Sequence, residues 1–164
     1  MKWFPLIGIS IPVIAMAVAS AFDLPTKLVY NASASAPIGF YWIDRAPFLR
    51  GDTVLVKLPE HVRILVEFRQ YLPPKVPLLK RVIGIVGDKI CREGRRILLN
   101  DFSVVGARLA DKQGRRLPQW SGCTILGADK FFLLQKHPKS FDSRYFGPVD
   151  RTLIIGRARK LRVF

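Results

Sequence analysis

Apolar and polar positions divide the chain into one uninterrupted apolar stretch and a series of short strand-like segments. From Trp3 to Phe22, in WFPLIGISIPVIAMAVASAF, no residue is charged. About twenty apolar residues are what a bilayer's hydrocarbon core requires of a helix. Pro5, Gly8 and Pro12 weaken a helix in water but are tolerated within a membrane span. Lys2 ahead of the stretch predicts a cytoplasmic N-terminus and an exported remainder. Ala17-Val18-Ala19 and Ala19-Ser20-Ala21 match small-residue cleavage sites, so removal as a signal peptide stays open beside retention as an anchor. The competing reading is a buried core helix, though few soluble helices are apolar all round. The expected organisation is an anchor or signal segment over 1–22 and a single domain over 23–164.

Beyond the span, GFYWI (Gly39–Ile43) and DTVLVKL (Asp52–Leu58) carry the alternation and the β-branched and aromatic residues of strands, with RAPFLRGD as the turn between them. EHVRILVEFRQYL, from Glu60 to Leu72, is the one good amphipathic helix, with Val62, Leu65 and Phe68 on a common face and Pro73-Pro74 ending it. PLLKRVIGIVGDKICRE, RRILLN, DKFFLLQ and RTLIIGRARKLRVF then follow as strands separated by Gly, Asp and Asn. Many short strands with one helix predict a mainly β, β-rich α+β domain, its antiparallel sheets coiled or closed into a barrel.

Charge changes the picture of partners more than of fold. Lys and Arg number 27 against 12 Asp and Glu, a net charge of +15. That favours anionic partners: nucleic acid, anionic lipid or acidic protein. The cations are scattered, and no basic run interleaves with aromatics as a nucleic-acid groove would require, so nucleic acid is not the expected partner. Cys91 and Cys123 lie far apart with no ligand spacing, which argues against zinc. In an exported domain they could pair as a disulfide; otherwise they are two buried thiols.

The chemistry starts from what is missing. A Ser–His–acid triad needs a histidine, and His61 and His137 both read as surface loop residues; no GxSxG, HExxH, SxxK or phosphate-binding loop is present. A serine would then need a lysine as base, and a lysine serves near neutral pH only when desolvation lowers its pKa. Lys80, in VPLLKRVIGIV, is the lysine with that setting; an edge-strand gatekeeper or a snorkelling side chain is the alternative. SFDSRYFGPVD, from Ser140 to Asp150, gathers a carboxylate, hydroxyls, an arginine and aromatics. Asp142 and Arg144 fall on one side if that segment is extended, and an ordinary polar turn is the alternative. YNASASAPIGFYWI sets two serines, Ser33 and Ser35, in a cramped small-residue turn.

Together these segments resemble the bacterial signal peptidase I superfamily, and within it the maturation peptidases of conjugative plasmids, the TraF type. The serine box is similar to NASASAPIGFY, the lysine box to LLKRVIGIVGD and the acidic box to SFDSRYFGPV, in that order, behind an apolar N-terminus. GRRLPQWSGC and the later FFLL extend the likeness over nearly the whole chain. The resemblance implies that Ser35 is the nucleophile, Lys80 the general base, and the Ser35 N–H and Ser33 hydroxyl the oxyanion hole. Ser140 would orient the lysine, Asp142 and Arg144 would form a supporting ion pair, and Arg81, Gly84, Gly87 and Asp88 would follow the lysine-box pattern.

Two departures point to a specialised substrate: Ala36 replaces a methionine, and QKHPK replaces Gly-Asp-Asn ahead of the acidic box. The implied protein cleaves a pilin precursor after small residues, with release to water or transfer to an amine. It would need no cofactor or metal, sit in the cytoplasmic membrane with its catalytic domain facing the periplasm, and meet other conjugation proteins. A second reading is a basic, membrane-tethered DNA- or protein-binding component of a transfer apparatus. A soluble self-cleaving Ser–Lys repressor would instead need a DNA-binding helical domain where the apolar span stands.

Overall fold

The protein is described here by a computed structural model covering residues 27–73 and 75–162. Among the described residues, eleven strands, two α-helices and one 3-10 turn follow the order β1 (Leu28–Asn31), β2 (Gly39–Asp44), β3 (Thr53–Val56), α1 (Glu60–Phe68), β4 (Leu78–Gly84), β5 (Lys89–Glu93), β6 (Arg96–Leu99), β7 (Phe102–Gly106), β8 (Gly122–Ile125), β9 (Lys130–Leu134), α2 (Ser143–Phe146), β10 (Val149–Asp150), the 3-10 turn Arg151–Leu153 and β11 (Ile154–Lys160). They build a seven-stranded sheet, β1-β2-β11-β3-β4-β9-β10, and a four-stranded sheet, β7-β6-β5-β8. Every pairing is antiparallel. The mainly β fold expected from the alternation is what forms.

Both faces of the large sheet are buried at its centre, which is why its strands read as nearly continuous apolar runs. Val54, Val56, Leu78 and Val82 pack on one face with Leu133, Val149 and Ile154, while Leu55 and Leu79 pack on the other with Ala36, Tyr41, Ile43 and Ala158. PLLKRVIGIVGDKICRE is two strands rather than one. The turn Ile85–Asp88 passes the chain from the large sheet (β4) to the small one (β5). Asp88 holds that turn by accepting from the Ile85 N–H at 2.8 Å, from Arg50 at 2.8 Å and from Asn100 at 2.9 Å. Ile90 and Ile97 of the small sheet meet Leu126, Phe132 and Leu134 in a third core. Cys91 and Cys123 stand opposite one another in the β5–β8 register and form a disulfide.

Two local expectations, both of the helix, need correction. The helix ends at Phe68, ahead of the prolines. Gln70 takes φ 55°, and the N–H groups of Gln70 and Tyr71 close back on the Glu67 and Val66 carbonyls. That is a Schellman-type stop made without glycine. The buried helix face is Val62 and Val66, whereas Phe68 is 85% exposed. Of the two readings of SFDSRYF, the turn is what forms: Ser143–Phe146 is a helical turn with Asp142 as its N-cap. No helix among the described residues is long and apolar enough to cross a membrane. The span expected at Trp3–Phe22 lies outside the described residues.

Candidate active site

The turn between β1 and β2 carries the two serines, and Asn31 shapes it. The Asn31 side-chain amide donates to the carbonyls of Ser33 and Ala36, both at 2.9 Å, and of Pro37 at 3.2 Å. Its Oδ1 accepts from the Ser33 N–H at 3.1 Å and the Ser33 hydroxyl at 3.0 Å. Tyr41 Oη donates to the Pro37 carbonyl at 2.7 Å and pins the exit of the turn. Ser33 Oγ and Ser35 Oγ are 2.8 Å apart. A hydroxyl has one proton to give. With the Ser33 proton spent on Asn31, the Ser35 hydroxyl is the donor in that pair.

Lys80 sits mid-strand in β4, opposite Val54 and on the same side of the strand as Leu78 and Val82. It is 3% exposed. Its Nζ donates to Ser140 Oγ at 2.7 Å. Burial pushes the lysine down to about 8, with Arg144 adding to the fall and the Asp142 carboxylate working against it. The gatekeeper and snorkelling alternatives both require an exposed ammonium, and this one is enclosed.

Ser140 and the pair Asp142–Arg144 come from the segment after β9. Arg144 Nε donates to Asp142 Oδ1 at 2.7 Å and its Nη2 to Oδ2 at 3.0 Å, both side chains being fully buried. The remaining carboxylate capacity is taken by the Gln135 N–H at 3.0 Å and the Arg144 N–H at 3.3 Å. Arg144 also donates to the Gln135 carbonyl at 2.7 Å, and Arg92 of β5 donates to the Arg144 carbonyl at 2.8 Å. A buried pair without unused hydrogen-bonding capacity on the carboxylate is a rigid fixture. Ser143 Oγ accepts from the Leu133 N–H at 3.1 Å, which fastens the same segment to β9.

Ser33, Ser35 and Lys80 all line one cavity of about 790 Å³, whose walls include Leu78, Leu79 and Tyr145. Among the described residues Ser35 makes no hydrogen bond to Lys80; its hydroxyl points to Ser33, and the lysine to Ser140. Catalytic hydrogen bonds are often long or misaligned without substrate. A cleft that gathers a hydroxyl, an amine of lowered pKa and backbone N–H groups of a tight turn is equipped for acyl transfer.

Sequence reasoning left three features of the site without a role. Asn31 organises the serine turn, and an Asx residue opening a turn is the signal that was available. Gln135, in the stretch read only as a departure, donates to the Leu79 carbonyl at 3.1 Å and so steadies β4 beside Lys80. Tyr71 and Arg115 both donate to Asp111 Oδ2 at 2.6 Å, joining the end of α1 to the 107–117 segment as one wall of the cavity. Arg115 lies only four residues from Asp111, but Tyr71 lies 40 away, too far for any local pattern. The histidines stay outside this cavity: His61 is exposed on α1, and His137 Nδ1 accepts from the Lys139 N–H. Among the described residues no group of three or more His, Cys, Asp or Glu is placed to hold a metal ion.

Comparison with known proteins bears on this geometry. Residues 1–162 match the family described as signal peptidase, peptidase S26. The chain is 31% identical over 137 residues to the plasmid transfer protein TraF of Escherichia coli, covering 76% of this chain and 77% of that one. It is 32% identical over 146 residues to the probable conjugal transfer protein TraF of Sinorhizobium fredii, with coverages of 82% and 76%. Signal peptidase I of Leptolyngbya laminosa is 30% identical over 138 residues, 82% of this chain and 61% of that protein.

Proposed function

The chain belongs to the signal peptidase, peptidase S26, family, and we propose that it is a membrane-anchored serine endopeptidase that uses a Ser35–Lys80 dyad to mature a pilin precursor during conjugative transfer. One observation carries the dyad: a lysine 3% exposed, lowered to about 8, in the same cavity as a serine held in a tight turn. Names of the relatives as plasmid and conjugal transfer proteins support the process, and the apolar Trp3–Phe22 stretch supports an anchor in the cytoplasmic membrane with the catalytic domain on the periplasmic side.

In this reading Ser35 Oγ turns from Ser33 toward Lys80 when substrate enters. Neutral Lys80 takes its proton as the oxygen attacks a carbonyl following a small residue. The Ser35 N–H and the Ser33 hydroxyl receive the oxyanion, the latter by letting go of Asn31; one such donor is worth about 3 kcal/mol in acyl transfer. Ser140 keeps the lysine amine aimed into the cavity. Protonated Lys80 then returns its proton to the leaving amine, and the Ser35 ester passes to water or to a second amine. In the second case the product is a joined or circular peptide. Water or amine is a question of what else occupies the cleft, and mass spectrometry of a processed precursor reads the answer directly.

The test is processing of a co-expressed pilin precursor by the full-length protein. Ser35→Ala lowers cleavage by at least about a thousandfold, as loss of a nucleophile does. Cleavage at the wild-type rate by Ser35→Ala would remove the dyad from consideration.

A further inference from the structure

Ser35 also lines a second cavity, of about 790 Å³, which shares no other lining residue with the first. A peptide attacked at Ser35 thus has one cavity on hand for its acyl half and one for its leaving half. The acyl half stays bonded to the enzyme as an ester and must remain beside the base that activates the acceptor. Lys80 and Ser33 line the first cavity and not the second. The second is left for the departing segment.

Its chemistry differs from that of the first. The titratable side chains lining it are Arg81, Lys136 and His137, and no Asp or Glu lines it. Arg81 follows Lys80 on β4, so strand alternation sends it to the opposite side, where it is exposed. Its guanidinium is nevertheless fixed. Nε donates to the Gly51 carbonyl at 2.8 Å, and Nη2 comes within 3.4 Å of where a Cβ on Gly51 would stand. Gly51 has φ 96°, a left-handed conformation that favours glycine. Anchored through Nε, Arg81 makes no ion pair among the described residues, and neither does Lys136. Two terminal nitrogens of a held guanidinium are the geometry that meets a carboxylate in a two-pronged fashion.

We propose that Arg81, supported by Lys136 and His137, forms a leaving-segment subsite that binds a carboxylate a few residues beyond the scissile bond, either an acidic side chain or the free C-terminus of a short tail. This rests on the peptidase reading for its role, although not for the binding itself. Arg81 is a specificity residue here. It touches the departing part of the substrate and leaves the reacting atoms to the first cavity.

The experiment uses the full-length protein in detergent and three internally quenched peptides cut after alanine. They share one acyl half and differ in a four-residue leaving segment: tetra-alanine with a free carboxylate, its C-terminal amide, and a C-terminal amide with glutamate at the third position. At least one carboxylate-bearing peptide is cut with a kcat/KM about tenfold above the neutral amide, mainly through KM. The better of the two identifies side chain or terminus as the source. Raising the salt shrinks the ratio, and Arg81→Gln brings it close to one. In parallel, the Ser35→Ala protein is titrated with dansyl-labelled forms of the same three leaving segments. Tighter binding of at least one carboxylate-bearing segment than of the neutral amide, lost on adding Arg81→Gln, is the expected result. Equal kcat/KM for all three peptides, or equal binding of all three segments, overturns the subsite. Failure to cut any peptide while a carboxylate-bearing segment still binds selectively counts against the peptidase reading and leaves the carboxylate site standing.

Discussion

Lys80 should make the protein less stable than it needs to be, and replacing it with methionine measures by how much. A lysine lowered from 10.5 to about 8 by burial is, at about 1.4 kcal/mol per pKa unit, roughly 3 kcal/mol of destabilisation at neutral pH. The sign follows from proton counting. Between pH 8 and 10.5 the unfolded chain holds a proton on this lysine and the folded chain does not. Stability therefore rises with pH across that window, and below pH 8 the full cost is present. Methionine keeps the length of the side chain and carries no charge. It also strands Ser140, whose hydroxyl has Lys80 as its recorded partner, and a buried unpaired hydroxyl costs about 1–2 kcal/mol.

Lys80→Met is thus expected to gain ~1–2 kcal/mol at pH 7, or ~3–6 °C in Tm for a domain of this size. At pH 10.5 most of the gain is gone while the stranded Ser140 remains, so the sign reverses. Adding Ser140→Ala removes the stranded hydroxyl and brings the gain at pH 7 close to the full ~3 kcal/mol. Thermal unfolding of the detergent-solubilised chain at several pH values is the assay. A Tm shift that is the same at pH 7 and pH 10.5 would refute the reasoning, because it would mean that the lysine is not the group being relieved.

Three further outcomes follow from the same geometry. Peptidase activity should rise with pH through an acid limb near 8, where Lys80 loses its proton; a kcat/KM flat between pH 6 and 9 removes it as the titrating base. Asp142→Asn leaves fully buried Arg144 without its counter-charge, a loss of about 3–5 kcal/mol in denaturant unfolding. Where the variant still folds, its acid limb moves to lower pH, since the Asp142 carboxylate is what holds the lysine up. Gly84→Ala places a Cβ 2.8 Å from Phe132 Cβ and 2.9 Å from Leu126 Cδ1, so β4 must shift against β9 and stability falls by about 1–3 kcal/mol in the same melts.

How far the sequence could be read depended on how local each cause is. Strand alternation carried β2, where Tyr41 and Ile43 are buried and Phe40 and Trp42 exposed, and a continuous apolar run carried β3, which is buried on both faces; each pattern is written within four to six positions. Alternation failed on β8, whose four residues are all exposed and hold their place by pairing with β5, a cause that lies in another segment. The helix face was misjudged for a related reason: Val62, Leu65 and Phe68 share a stripe as well as Val62 and Val66 do, and only the packed sheet decides between them. Lys80 was legible because desolvation of a mid-strand lysine shows in its immediate neighbours. Ser140 and Gln135 were harder, since their effect on Lys80 and β4 acts across 60 and 56 residues.

The same distinction separates the two cations of β4. One step along the strand turns Lys80 into a buried amine held short of its ordinary pKa, and Arg81 into an exposed guanidinium fixed on Gly51. LLKRVIG reads as one motif, yet the alternation of the strand gives its two charges opposite sides and unlike chemistry. A substitution at either position therefore tests a different half of the substrate. Lys80 variants should alter the rate of acyl transfer for every peptide, and Arg81 variants the choice among leaving segments. If Arg81→Gln instead slowed all peptides equally through kcat, the assignment of the two cavities to acyl and leaving halves would have to be abandoned.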